Sequence, residues 1–169
     1  MSISSELAKQ AKIKGICQEW YLILKNEKDI DSLLDMYIKG LDFCLSNNYP
    51  SNDYISKNFK GKMESHGIHL NEFLDIVNER KVIALGKTTG TVKIKDYEVS
   101  EIFVKNNSEL TIMASGNSFV MIDIFDDSKV IVFASDDAKV VIMKYGGRVL
   151  QDSKDDSCIK IIEKNKTTY

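Results

Sequence analysis

From Ser108 onward the chain repeats itself every ten residues, and few folds can accommodate such a repeat. The units begin at Ser108, Ser118, Ser128 and Ala138, each opening on a small residue. A branched aliphatic holds the third place (Leu110, Val120, Val130, Val140) and another the fifth (Ile112, Ile122, Val132, Ile142). Turn formers close the units at Gly116-Asn117, Asp126-Asp127, Asp136-Asp137 and Gly146-Gly147. Strand side chains alternate between faces, so the third and fifth places point the same way in every unit. A fifth unit from Arg148 is degenerate, and Ser157 resumes the pattern one residue early.

Two architectures satisfy this pattern. Ten residues are too few for a whole coil, but two units per turn of about twenty residues make a flattened β-solenoid in which like residues stack. An antiparallel meander closing as a sandwich fits the turn spacing as well. The constant inward phase, with a small residue at each corner, favours the solenoid.

The first half reads differently, and the chain is expected to be α+β: a helical module over residues 1–80 and a β-repeat domain over residues 81–169. Ile13, Ile16, Cys17, Trp20 and Leu24 recur at helical spacing, although Gly15 weakens that stripe by about 1 kcal/mol relative to alanine. Asp29 or Asp31 is placed to cap a second stripe through Leu34, Tyr37, Ile38, Leu41 and Leu45, which ends in the breakers Ser46 to Pro50. Asn52 is placed to cap a third helix through Phe59, and Leu70 to Val77 is read as a further helical turn or two. From Val82 the period changes to two, with strands at Val82–Leu85, Val92–Ile94 and Ile102–Val104.

Charge argues against some functions. Residues 1–87 carry twelve basic and twelve acidic side chains, and residues 88–169 carry eleven and thirteen, so neither half is a footprint for nucleic acid or anionic lipid. No window reaches the roughly 18 apolar residues of a membrane span. The Met1–Glu6 start lacks a basic region leading into an apolar run, so synthesis in the cytosol is expected. Cys17, Cys44 and Cys158 are odd in number and widely spaced, as for free thiols.

Candidate chemistry is thin. Cys44 lies near Asp42 and His66 in sequence, but it ends an apolar helical stripe, where a free cysteine is usually a small core residue. His66 and His69, with Glu64 and Glu72, have the residue types for zinc, yet Gly67 breaks the helix that their spacing would need. The pairs Asp126-Asp127, Asp136-Asp137 and Asp155-Asp156 invite a calcium ladder, but turn chemistry accounts for aspartate there without an ion. Gly86-Lys87-Thr88-Thr89-Gly90 has the wrong glycine spacing for a phosphate loop and leads into a strand. Trp20, Tyr21 and the phenylalanines show no basic interleaving for base stacking. No catalytic residue, metal or cofactor is assigned, and an enzyme is not expected.

Several stretches together resemble a set of short proteins encoded by tailed phages and prophages of gut Bacteroides-type bacteria, in a crAss-like phage setting. They are Gly15-Ile16-Cys17 with Trp20, Met36 through Cys44, Tyr49-Pro50-Ser51, Asn58 through Gly61, Met63-Glu64 and Gly67-Ile68. Asp123 through Asp126, Lys144 through Gly147 and the closing Lys164 through Tyr169 belong to the same set, so the resemblance covers nearly the whole chain. It brings no functional residues. It implies a virion component, a capsid accessory or head-fibre attachment protein, made in the host cytoplasm and partnered by itself and other virion proteins. A soluble intracellular binding module acting on a host protein is the alternative.

One further expectation concerns self-association. Phe119, Met121, Phe125, Ile131, Phe133, Val141, Met143 and Tyr145 put apolar groups on the side of the strands away from the third and fifth places. A solvated sheet face should be polar there, so these eight residues are the candidate interface of a homo-oligomer, unless the helices of the same chain cover them.

Overall fold

A computed structural model describes residues 1–169, which divide into two compact units, Met1–His66 together with Tyr169, and Gly67–Thr168. The first holds helices α1 (Ile3–Ile13), α2 (Gln18–Asn26), α3 (Ile30–Lys39), α4 (Leu41–Asn47) and α5 (Asn52–Phe59), then a 3-10 turn at Met63–His66. Side-chain caps explain where three of them start: Ser2 Oγ accepts from Ser5 N, an Asp29 carboxylate oxygen from Ser32 N, and Ser51 Oγ from Tyr54 N. Leu7, Ala11, Leu34, Leu45, Ile55 and Phe59 are buried, and Tyr49 Oη donates to Leu7 O at 2.9 Å, tying the segment after α4 to α1.

Each long apolar stripe of the sequence is thus two helices. Gly15, at φ +89°, ends α1, and Ile13 is 84 % exposed instead of sharing a stripe with Trp20. Gly40 likewise separates α3 from α4. Of the two candidate caps Asp29 caps α3, whereas Ser51, not Asn52, caps α5.

The second unit is a parallel, two-sided β-solenoid. Its strands are β1 (Ile68–Leu70), β2 (Phe73–Val77), β3 (Lys81–Leu85), β4 (Thr89–Ile94), β5 (Val99–Val104) and β6 (Glu109–Ala114). They continue as β7 (Phe119–Ile124), β8 (Lys129–Ala134), β9 (Lys139–Lys144), β10 (Arg148–Ser153) and β11 (Cys158–Glu163). Successive strands alternate between a six-stranded sheet, β1-β3-β5-β7-β9-β11, and a five-stranded one, β10-β8-β6-β4-β2. Every pairing is parallel, and Val120 lies beside Val140, one coil of twenty residues on. The stacked fifth places, Val92, Ile112 and Val132 from one sheet and Ile102, Ile122 and Ile142 from the other, are all 0 % exposed. Burying each such side chain contributes about 1.5–3 kcal/mol.

The corners explain the turn residues. Asn71, Gly86, Asp96, Asn106, Gly116, Asp126, Asp136 and Asp155 all sit at φ between 55° and 67°. That left-handed region admits glycine freely and asparagine or aspartate at small cost, which is why each corner carries one of the three. The side chains then bond the neighbouring coil: Gly86 N donates to Asn106 Oδ1 at 2.9 Å and Asn106 N to Asp126 Oδ2 at 3.0 Å. On the opposite corner Gly116 N donates to Asp136 Oδ2 at 2.8 Å and Asp136 N to Asp155 Oδ2 at 3.1 Å. Aspartate at Asp126, Asp136 and Asp155 is therefore spent on backbone donors of the preceding coil.

Two boundaries differ from those expected. The β unit starts at Gly67, not at residue 81, and Leu70 to Val77 is strand, not helix. The first coil is short: Ile68 pairs with Ile83, and Phe73 with Thr89, so the ten-residue spacing that marks later coils is missing. Apolar residues at 70, 73, 74 and 77 then mimic helical spacing. At the other end, Tyr145-Gly146-Gly147 is a corner one residue shorter than its neighbours. Gly147 fills the small first place at φ +73°, so the degenerate unit begins there and Arg148 pairs with Lys129 in the second place.

Candidate functional site

Because consecutive units lie on opposite sheets, the eight outward apolar residues do not make one surface. Phe119, Met121, Val141 and Met143 lie on the outer face of the six-stranded sheet, with Met121 beside Val141. Ile131 and Phe133 lie on the outer face of the five-stranded sheet, where Phe133 neighbours Met113. Met113 and Phe133 are each 43 % exposed, whereas Phe119, Met121, Val141 and Met143 are half-buried. Charged side chains are interleaved and paired along the coil axis, as in Lys129 with Glu109 at 3.1 Å and Lys81 with Glu101 at 3.3 Å.

Phe125 and Tyr145 occupy a corner, and Phe125 is fully buried. Their rings stack at 4.8 Å and 13°. Lys105 Nζ sits 5.3 Å from the Phe125 ring centroid and 3.1 Å from an Asp126 carboxylate oxygen, and Lys164 Nζ lies 5.9 Å from Tyr145. Burial, then the Asp123 charge, raises the Tyr145 phenol above its usual range. This column of cation, ring, ring and cation clamps successive coils together, and it follows from the twenty-residue repeat of the place after each strand.

The chemistry-bearing residues separate. The Cys44 thiol is buried and pushed up to about 12, first by desolvation and then by Asp42, which disfavours the thiolate. His66 offers no free base to it, since Nδ1 meets Asp35 and Nε2 meets Asp31, both at 3.1 Å. Its partners stand four residues apart on one face of α3, a spacing legible only once that helix is placed. His69 Nδ1 hydrogen-bonds Glu72, while its buried Nε2 has no hydrogen bond and lies 3.7 Å from Glu79. Glu64 instead accepts from Gly61 N at 2.8 Å. No three His, Cys, Asp or Glu side chains converge to hold a metal ion, and no helix is long and apolar enough to cross a membrane.

Compared with known protein families, with curated proteins and with solved structures, the chain matches none.

Proposed function

We propose that this protein is a structural component of a tailed-phage particle, a capsid accessory or fibre-attachment protein that assembles through its β unit. The observation that carries the assembly part is the solenoid's outer surface, where Met113, Phe133 and Leu150 stand 43 %, 43 % and 55 % exposed on one sheet, with Lys129 beside them already paired to Glu109. Apolar groups presented on regular, rigid strands suit a protein that binds protein. The phage setting rests on the sequence resemblance. A fold of stacked coils, with aspartates at its corners bonded to backbone and several of its charges paired along the coil axis, fits a scaffold.

Mass spectrometry of purified particles tests the reading. The chain should be recovered from washed virions in a fixed ratio to the major capsid protein. Its absence from virions, with abundant protein in infected cytosol, would refute the proposal. The same apolar face also fits a host protein as partner. In that case a stoichiometric host protein would co-purify from infected cells and particle morphology would not need this chain.

A further inference from the structure

Regular backbone ends in the open at the last coil of the β unit. β10 and β11 are the terminal strands of the two sheets at this end, and β10 is exposed at every residue except the half-buried Val149. Arg148 N donates to Ser128 O at 2.9 Å and Lys154 N to Ala134 O at 3.1 Å, so even-numbered residues aim their backbone groups at β8. Backbone direction alternates along a strand. The N–H and C=O groups of Val149, Gln151 and Ser153 therefore point at the open edge, a template for one more strand.

The side chains of β10 specify which strand. Those facing outward are Arg148, Leu150 and Asp152, registered on Lys129, Ile131 and Phe133 of β8. Neither Arg148 nor Asp152 has an ion-pair partner in the chain, and the neighbouring Lys129 is already held by Glu109. Opposite charges flank a central leucine, which makes the edge complementary to itself. Laid antiparallel on an identical strand with Leu150 opposite Leu150, each Arg148 faces Asp152 of the second copy. The same register sets Val149 opposite Gln151, the residues whose backbone groups face the edge, so they exchange hydrogen bonds while the leucines form the closer, non-hydrogen-bonded pair. A slip of two residues either way sets Leu150 against a charged residue and loses both ion pairs. β11 lacks this symmetry, because its outward residues are Cys158, Lys160 and Ile162.

We propose that β10 is a dyad contact through which two copies of the chain join end to end, pairing Arg148 with Asp152 across the axis. The inference rests on the assembly reading above and gives it an atomic contact.

Sedimentation velocity on the purified full chain at high micromolar concentration tests it, with circular dichroism confirming that each variant is folded. The wild type should dimerise. Arg148→Asp alone and Asp152→Arg alone should each weaken the dimer about tenfold or more, because like charges then face each other. The double exchange Arg148→Asp, Asp152→Arg should restore it. An equimolar mixture of the two single variants should form a heterodimer, since only that combination sets opposite charges face to face. A monomeric wild type would overturn both this contact and self-assembly through the β unit. An oligomer indifferent to the reversals, or single variants that fail to associate on mixing, would overturn the β10 contact alone.

Discussion

The helical unit and the solenoid solve the same burial problem by opposite means. In the helical unit each core residue has its own environment, and polar side chains are taken inside one at a time: burial raises Tyr37, Cys44, Tyr49 and Tyr54 above their ordinary pKa. In the solenoid one environment repeats. Its buried hydroxyls bond backbone carbonyls, at the corners from Ser128 Oγ to Val104 O and from Thr88 Oγ1 to Leu85 O and within β5 from Ser100 Oγ to Glu79 O, and only Ser118 Oγ is left without a partner among them. Repetition makes a core tolerant of like-for-like exchange and intolerant of any change that stops coils from stacking. An irregular core depends on single side chains.

Alkali should separate the units most sharply. The Cys44 thiol moves from an ordinary 9.0 to about 12 and the Tyr54 phenol from 10.0 to about 12, both chiefly by burial, with Tyr37 and Tyr49 raised further. The folded state favours the neutral forms, so the stability they contribute is full below the unfolded values. It is lost as pH rises through that window toward the folded ones. Circular dichroism should show the helical signal failing between about pH 9 and 12. A helical signal unchanged at the top of that range would contradict the assignment.

Cavity formation comes next. Ile122→Ala opens the middle of the stack between Ile102 and Ile142 and should cost about 2–5 kcal/mol in urea unfolding, as should Leu45→Ala in the helical core. Ile122→Val should cost only about 0.5–1.5 kcal/mol, because valine already fills the fifth place at Val92 and Val132. A loss as large as that of the alanine variant would break the claim of tolerance.

Corner substitutions are smaller. A Cβ on Gly147 would lie 2.4 Å from Ser128 O at φ +73°, so Gly147→Ala should cost about 1–3 kcal/mol. Gly15→Ala, at φ +89° with nothing within 4 Å, should cost about 1–2 kcal/mol, from backbone conformation alone. Asp136→Ala removes the acceptor for Gly116 N and puts alanine in the left-handed region, and should cost about 1–2 kcal/mol, while Asp136→Asn keeps both the bond and the left-handed turn and should cost least of all. Equal losses in alanine and asparagine variants would show that the corner bond contributes nothing.

What could be read from the sequence follows the same division. The third and fifth places of the repeat were legible because one rule acts in every coil, and the solenoid expected from them is the fold observed. The first coil was not, since its fifteen-residue step from Ile68 to Ile83 breaks the spacing and leaves only ambiguous apolar residues. The missing residue at Tyr145-Gly146-Gly147 hid the register of β10. Two units per coil already imply that consecutive units lie on opposite sheets, so Ile131 and Phe133 cannot share a face with Phe119, Met121, Val141 and Met143, and treating the eight residues as one surface follows the meander, not the solenoid. In the helical unit, Gly15 and Gly40 each divide a stripe whose periodicity continues across the break.

Strand pairing is the direct test of the whole account. In a Cys17→Ser, Cys158→Ser background, Met121→Cys with Val141→Cys places two thiols on adjacent parallel strands about 4.8 Å apart, within reach of a disulfide. Met121→Cys with Ile131→Cys places them on opposite outer faces, whereas an antiparallel meander would bring those strands side by side. Thiol counting by mass spectrometry after mild oxidation should find a disulfide in the first pair and free thiols in the second. The reverse result would contradict the solenoid and everything argued from its faces, corners and open end.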